Sequence, residues 1–359
     1  MICLYMKLSL IIPTYNEKEN IRILILKLEE EFNLNKIDGE IIVVDDNSPD
    51  GTGIILDDLK MKYVFLRVIH REGKLGLSSA VVAGFNLAKG DILGVMDADL
   101  SHSPEKVNEM YQEIIKGADF VVGSRYIKGG KIEGWNIYRK LLSLGATLFA
   151  RVYTSVKDPM SGFFMFKKDL LLNKEINPKG FKILLELLIK LEYKQIVEIP
   201  IVFINRTVGK SKAGTREIIY YLENLIKYLP YKKEVIGEFL KFILVGLVGT
   251  FVNIIILYSF TEYYNVYYLY SALLSFVVAV TVNFILNKIW TFNEKIGYKI
   301  FQKYIKFFSV SLFALSVNIF FLILLTEVFG LYYIYSQILA IGMSLVINFI
   351  GNKIWTFCK

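Results

Sequence analysis

Cysteine is almost absent: two in 359 residues, Cys3 and Cys358, near opposite ends. That pair supports neither a disulfide framework nor a cysteine-based metal site. Proline numbers seven, and none follows Pro230, so nothing beyond it forces a break in a long helix. Two glycine signatures of nucleotide binding are also missing. No G-x-G-x-x-G follows an apolar run, which argues against a dinucleotide Rossmann site, and no P-loop lysine motif is present. No cleavable signal peptide is expected, because the first apolar run, residues 8–12, is short and leads into a polar turn.

Charge is withheld from the C-terminal third. Residues 242–261, 263–287, 307–326 and 328–352 are uncharged stretches of 20 or 25 residues, punctuated by Glu262, Lys288, Glu327 and Lys353. About 20 apolar residues cross a bilayer core, so four transmembrane helices are predicted. This concentration explains a hydrophobic fraction of 54% beside a net charge of +8. An offset of 65 carries Lys241 onto Lys306, Asn253 onto Asn318, Glu262 onto Glu327 and Asn283 onto Asn348. It also carries Asn287-Lys-Ile-Trp-Thr-Phe292 onto Asn352-Lys-Ile-Trp-Thr-Phe357. The membrane half is therefore two copies of one helical hairpin. The loop between the copies holds Lys288, Lys295, Lys299, Lys303 and Lys306 against Glu294. Positive loops stay in the cytoplasm, so both chain ends and the N-terminal domain are expected there.

Residues 215–241 place Ile218, Ile219, Leu222, Leu225, Ile226 and Leu229 at helical spacing, opposite Arg216, Glu217, Glu223 and Lys227. Pro230 interrupts the pattern. Such a helix lies on a membrane surface or packs on the preceding domain, and the spacing leaves both open. The domains expected are 6–214, an interfacial linker 215–237, and a membrane domain 238–359.

The N-terminal third carries the chemistry. Residues 8–12, 40–44 and 92–96 are short apolar runs without helical spacing, each ending in a polar turn that leads toward a helix. That alternation predicts an α/β domain with a doubly wound, mostly parallel sheet. The polar ends gather at the carboxyl edge, where ligands bind in such sheets. The run 92–96 ends on Asp97-Ala98-Asp99. Two carboxylates so close repel unless a cation lies between them, and a hard divalent cation carrying a diphosphate meets that need.

The segments SLIIPTYNE, IIVVDDNSPDGT, VMDADLSHSPE, VVGSRY and DPMSGFFMF occur in this order between Met6 and Lys212. Together they resemble the family 2 glycosyltransferases of GT-A fold, and among them the polyprenyl-phosphate (dolichol-phosphate) mannosyltransferases. The membrane half resembles the GtrA-like membrane domain. The resemblance implies a nucleotide-sugar donor bordered by Pro13, Tyr15, Glu17, Val44, Asp46 and Ala98. It implies Mg²⁺ or Mn²⁺ held by Asp97, Asp99 and the residue at Ser101, where the family often has a glutamine. A hydroxyl is shorter and weaker there. His102 beside it is an alternative ligand or a structural residue.

By the same resemblance Arg125 contacts a donor or acceptor phosphate. Arg206 and Lys212, in an R-x-x-G-x-S-K segment, close over the diphosphate. Arg139 and Ser143 face a polyprenyl phosphate acceptor, with Trp135, Leu141, Leu142, Leu144 and Leu148 as an apolar path and Lys140 as a further cation. The expected reaction is metal-dependent, inverting transfer of a hexose, mannose from GDP-mannose first, to dolichyl phosphate. Glucose from UDP-glucose, or a lipid-linked sugar flippase with an accessory transferase, are the alternatives. The partners are the nucleotide sugar, the lipid phosphate and the bilayer; no nucleic acid is expected. A processive polysaccharide synthase would carry a Q-x-x-R-W segment, and none is present.

Overall fold

The computed structural model of the chain describes residues 6–177, 180, 182–204, 215–295, 297 and 299–358, in two compact units divided between Tyr231 and Lys232. In the first unit strands and helices alternate. The order is β1 (Leu8–Thr14), α1 (Ile21–Leu34), β2 (Gly39–Asp45), α2 (Thr52–Lys62), β3 (Leu66–His70), α3 (Leu77–Leu87), β4 (Ile92–Val95), α4 (Lys106–Ile115) and β5 (Phe120–Ser124). There follow β6 (Lys131–Glu133), α5 (Ile137–Ala150), β7 (Phe164–Lys167), α6 (Ile183–Lys190), β8 (Ile196–Pro200), β9 (Val202–Ile204) and α7 (Thr215–Tyr228).

The main sheet runs β3-β2-β1-β4-β7-β5-β8. Every residue of β1 is buried, as a parallel strand covered on both faces requires. Helix α1 buries Ile21, Leu24, Ile25, Leu28 and Phe32, a helical stripe. On the sheet's other face α3 lies so close to β1 that a Cβ on Gly84 would sit 2.5 Å from Ile11. All pairings in the main sheet are parallel except those of β7, which is antiparallel to both β4 and β5. The mostly parallel α/β expectation thus holds, with one inserted reversed strand. Because β7 runs backwards, the chain entering it, 158–163, lies at the same edge as the carboxyl ends of β4 and β5. A second, two-stranded sheet pairs β6 with β9.

Helix α7 packs on its own unit. Tyr228 is buried and its hydroxyl donates to Glu186 Oε2 of α6 at 3.1 Å. The Tyr221 hydroxyl donates to the Ala146 carbonyl of α5, and Tyr153 donates to the Leu225 carbonyl. The buried face is Tyr221, Asn224, Leu225 and Tyr228, while Ile226 stays exposed. Of the two readings left open by the spacing, packing on the preceding domain is the one these contacts show.

The second unit holds α8 (Lys233–Glu262), α9 (Tyr268–Leu286), α10 (Ile300–Ile323) and α11 (Tyr333–Gly351). All four are long and apolar enough to cross a membrane. Helix α8 starts before the uncharged run, in two turns that carry Lys233, Glu234, Glu238 and Lys241. The internal repeat is realised in matching contacts. Lys241 donates to the Trp290 carbonyl at 3.4 Å, and Lys306 to the Trp355 carbonyl at 3.5 Å. Phe242 meets Phe349 and Phe307 meets Phe284, each pair at 5.6 Å. The repeat-related Phe292 and Phe357 stack on one another at 4.5 Å, which places them at the local two-fold. Each Asn-Lys-Ile-Trp-Thr segment ends its hairpin as a π-helical turn, a wider winding common where function bends a helix.

Candidate active site

The end of β4 turns sharply. Leu100 takes a left-handed conformation, φ 58°, uncommon for a branched side chain. The turn is held by the Ser101 N–H donating to Asp99 Oδ1 at 3.0 Å, and by the Ile204 N–H of β9 donating to the Ser101 carbonyl. Asp99, Ser101 and His102 are buried, at 5%, 2% and 1% exposure. Asp97 is more open and lies against Gly162, where a Cβ would come within 2.6 Å of its Oδ2. Glycine is required there for the carboxylate to keep its place. His102 Nε2 is 3.4 Å from the same oxygen.

These residues fit a divalent cation shared with a diphosphate. Mg²⁺ is bound through one or two carboxylates plus substrate phosphates rather than by an all-protein cage. Among the described residues no cluster of three or more His, Cys, Asp or Glu side chains is formed, so the protein offers the two acids. The Ser101 Oγ is buried without a hydrogen-bond partner among the described residues.

Arg125, at the end of β5, has a different partner from the phosphate expected for it. Its Nε donates to Asp158 Oδ2 at 2.7 Å and its Nη2 to Asp158 Oδ1 at 2.8 Å. Its backbone N–H donates to Oδ2 as well. Burial lowers the guanidinium pKa, but the hydrogen bonds and charge of Asp158 outweigh it, and the net shift is upward. The guanidinium sits among the rings of Tyr126, Trp135 and Phe203 at 5.4–5.7 Å. With its fork on Asp158, Arg125 holds the site's frame together, and any phosphate contact would come from its remaining edge.

A cavity of about 210 Å³ opens beside it, lined by Arg125, Tyr126, Gly130, Lys131, Ile132, Lys140 and Leu144. Ser143 hydrogen-bonds the Tyr126 hydroxyl at 2.9 Å, and Arg139 lies over the Trp135 ring at 4.1 Å. Neither lines the cavity; Lys131 and Lys140 supply its charge. The outer face of α5 exposes Ile137 at 76%, Leu141 at 62% and Leu144 at 44%, an apolar stripe next to cations.

On the nucleotide side, Pro13 and Val44 are buried inside β1 and β2. The Val44 side chain belongs to the core cluster on one face of the sheet. Tyr15 carries the Lys74 ammonium 4.2 Å above its ring. Glu17 accepts from Asn20 Nδ2 at 2.8 Å, and its N–H donates to Thr52. Asp46 accepts from Arg71 Nε at 2.5 Å and from the Gly76 N–H at 2.8 Å. It fastens the 71–76 loop over the edge. Arg206 and Lys212 lie outside the described residues.

The edge thus brings together Tyr15, Glu17, Asp46, Asp97, Asp99, Ser101 and Arg125, with Arg139 and Ser143 on the neighbouring helix. Asp158, Gly162, Arg71, Lys74 and Lys131 were not anticipated. Asp158 and Gly162 stand within DPMSGFFMF, so the motif carried the signal; only the reversed course of β7 explains their role.

Residues 9–173 match the model of the family described as glycosyl transferase family 2, and residues 241–357 match that of the GtrA/DPMS transmembrane domain. A dolichol-phosphate mannosyltransferase of Pyrococcus furiosus is 39% identical over 352 residues, covering 97% of this chain and 98% of the relative. The dolichol-phosphate mannosyltransferase of Saccharomyces cerevisiae is 42% identical over 234 residues, 62% of this chain and 87% of the relative. Among solved structures, glucosyl-3-phosphoglycerate synthase from Mycobacterium tuberculosis aligns with a TM-score of 0.47 at 20% identity, over 63% of this chain and 79% of that one.

Proposed function

The chain belongs to the dolichol-phosphate mannosyltransferases among the family 2 glycosyltransferases, and on that premise we propose that it transfers mannose from GDP-mannose to a polyprenyl phosphate such as dolichyl phosphate. The observation that carries this reading is a pair of acids at the carboxyl edge of the sheet beside a cationic cavity rimmed by an exposed apolar helix. A sugar nucleotide needs the acids. A lipid phosphate needs the cations and the apolar face.

Asp97 and Asp99, with Ser101, would hold Mg²⁺ or Mn²⁺, which neutralises the departing diphosphate. Tyr15 and Glu17 border the nucleoside, the ring by stacking and the carboxylate by accepting from sugar hydroxyls. The 71–76 loop, tied to Asp46, brings Lys74 to the same region. Arg206 and Lys212 belong to the diphosphate by their motif.

The acceptor phosphate binds in the cavity charged by Lys131 and Lys140 and lined by Tyr126, with Arg139 and Ser143 on the neighbouring helix. Its tail follows Ile137, Leu141, Leu144 and Leu148 of α5. A phosphate monoester is already anionic near neutral pH, so little proton transfer is needed. Binding and orientation supply most of the rate. Direct attack by its oxygen on the anomeric carbon expels GDP from the opposite face. An α-linked donor then gives a β-linked lipid phosphate sugar.

The four apolar helices make this a membrane protein. The lysine-rich segment between α9 and α10 supports a cytoplasmic catalytic domain and cytoplasmic ends. Membranes containing the chain, incubated with labelled GDP-mannose, UDP-glucose and other sugar nucleotides, test the donor. Label in the lipid phase from GDP-mannose is the expected result. Equal or greater transfer from UDP-glucose would replace mannose with glucose in this reading.

A further inference from the structure

His102 sits in a slot that packing alone does not explain. It is 1% exposed. Its ring lies 5.2 Å from both Phe163 and Phe203, edge-on to the latter. Both ring nitrogens are buried, and neither has a hydrogen-bond partner among the described residues. Leaving a buried polar group unsatisfied is destabilising, a cost a phenylalanine in the same aromatic slot would not carry. Among the described residues, Asp97 is the charged partner of the imidazole, its Oδ2 3.4 Å from Nε2. The same Oδ2 is the atom pressed against Gly162. One oxygen of Asp97 is thus backed on two sides by protein, the backbone on one and the imidazole on the other.

We infer that His102 is a positioning residue for the cation site: its Nε2–H takes hold of Asp97 Oδ2 and sets how firmly the carboxylate binds a divalent metal. The inference rests on the metal role proposed above for Asp97 and Asp99. A contact of 3.4 Å is long for a hydrogen bond, but such contacts commonly tighten when the site is loaded. A partner behind a ligand orients it and raises its basicity. Direct ligation is the less favoured geometry. A metal-bound imidazole donates its other N–H to an acceptor, and His102 Nδ1 has none among the described residues.

The test uses the full chain in detergent with saturating GDP. Free Mn²⁺ is measured by electron paramagnetic resonance for the wild type, His102→Phe and His102→Gln. His102→Phe preserves the aromatic packing and removes the donor, so its Mn²⁺ Kd rises about ten- to a hundredfold. His102→Gln, which keeps an N–H, recovers part of the loss. GDP affinity without metal stays the same in all three. Pulsed spectra of the wild-type Mn²⁺ complex show no directly bound imidazole nitrogen. An unchanged Kd in a folded His102→Phe overturns the inference, and so does a directly bound nitrogen. If His102→Phe does not fold, His102→Leu, which also lacks the donor, decides by the same Kd. A wild type that binds no Mn²⁺ at all overturns the metal role itself, a separate failure from an unchanged Kd.

Discussion

Arg125 and Asp158 form a buried bidentate ion pair, 2.7 and 2.8 Å across its two bonds. They stand 33 residues apart in the chain. They meet because β7 runs antiparallel between β4 and β5. Removing one partner of such a pair strands a charge in the interior. Asp158→Ala should cost about 3–5 kcal/mol and lower the thermal midpoint of the full chain. Arg125→Met with Asp158→Leu should recover much of that stability while activity stays lost. Equal midpoints for the wild type and Asp158→Ala would show that the pair is not buried as described.

Asp99→Asn removes one of the two anionic ligands offered to the cation. The expected outcome is loss of transfer and of metal-dependent GDP binding, with the thermal midpoint nearly unchanged. Calorimetry of GDP with and without Mn²⁺ checks it. Near-normal turnover by the variant with donor stripped by EDTA would refute the metal role.

Lys140→Ala and Arg139→Ala should each reduce kcat/KM for the lipid phosphate roughly ten- to a hundredfold, the loss of one charge-assisted contact of about 1.5–3 kcal/mol. Donor affinity should hardly move. Arg139→Lys should recover only part, since an ammonium keeps the charge but loses the planar stack on Trp135. Lipid-titration kinetics beside donor calorimetry separate the cases. Lost donor binding with unchanged acceptor dependence would move these residues to the nucleotide site.

Asp119 gives the acid limb of stability. Burial raises its pKa, but the Lys167 ammonium at 2.8 Å and the N–H groups of Gln195 and Lys194 prevail, lowering it to about 2. A depressed carboxylate stabilises the fold fully above its ordinary value of 3.8 and loses that contribution as pH falls toward 2. Asp119→Asn should therefore flatten the midpoint-against-pH curve in that window and lower the midpoint above it. An unaltered curve would remove Asp119 from the account.

Strands β1, β2 and β4 were legible because each is a buried parallel run that ends in a polar turn. The carboxylates of β4 were legible for the same reason. Strand β7 was not: Phe164–Lys167 is four residues without alternation, and only pairing on both sides makes it a strand. Asp158 and Gly162 were hidden with it. Val44 and Pro13 were placed at the donor site by motif, and both are buried at the ends of their strands. In the membrane half the charge gaps located all four helices, and the offset of 65 is matched by paired Lys–Trp and Phe–Phe contacts. Helix α8 begins at Lys233, before the uncharged run, because charged turns continue a helix past its apolar stretch. The partner of α7 could not be read, because one amphipathic stripe suits a bilayer surface and a protein surface alike.

The purified chain, reconstituted in liposomes with dolichyl phosphate and given labelled GDP-mannose, tests the central claim most directly. The account predicts metal-dependent label in the lipid extract, released by mild acid as mannose, and none when dolichol replaces its phosphate. Label that forms with dolichol as well, or that remains in the water phase with dolichyl phosphate present, would contradict it.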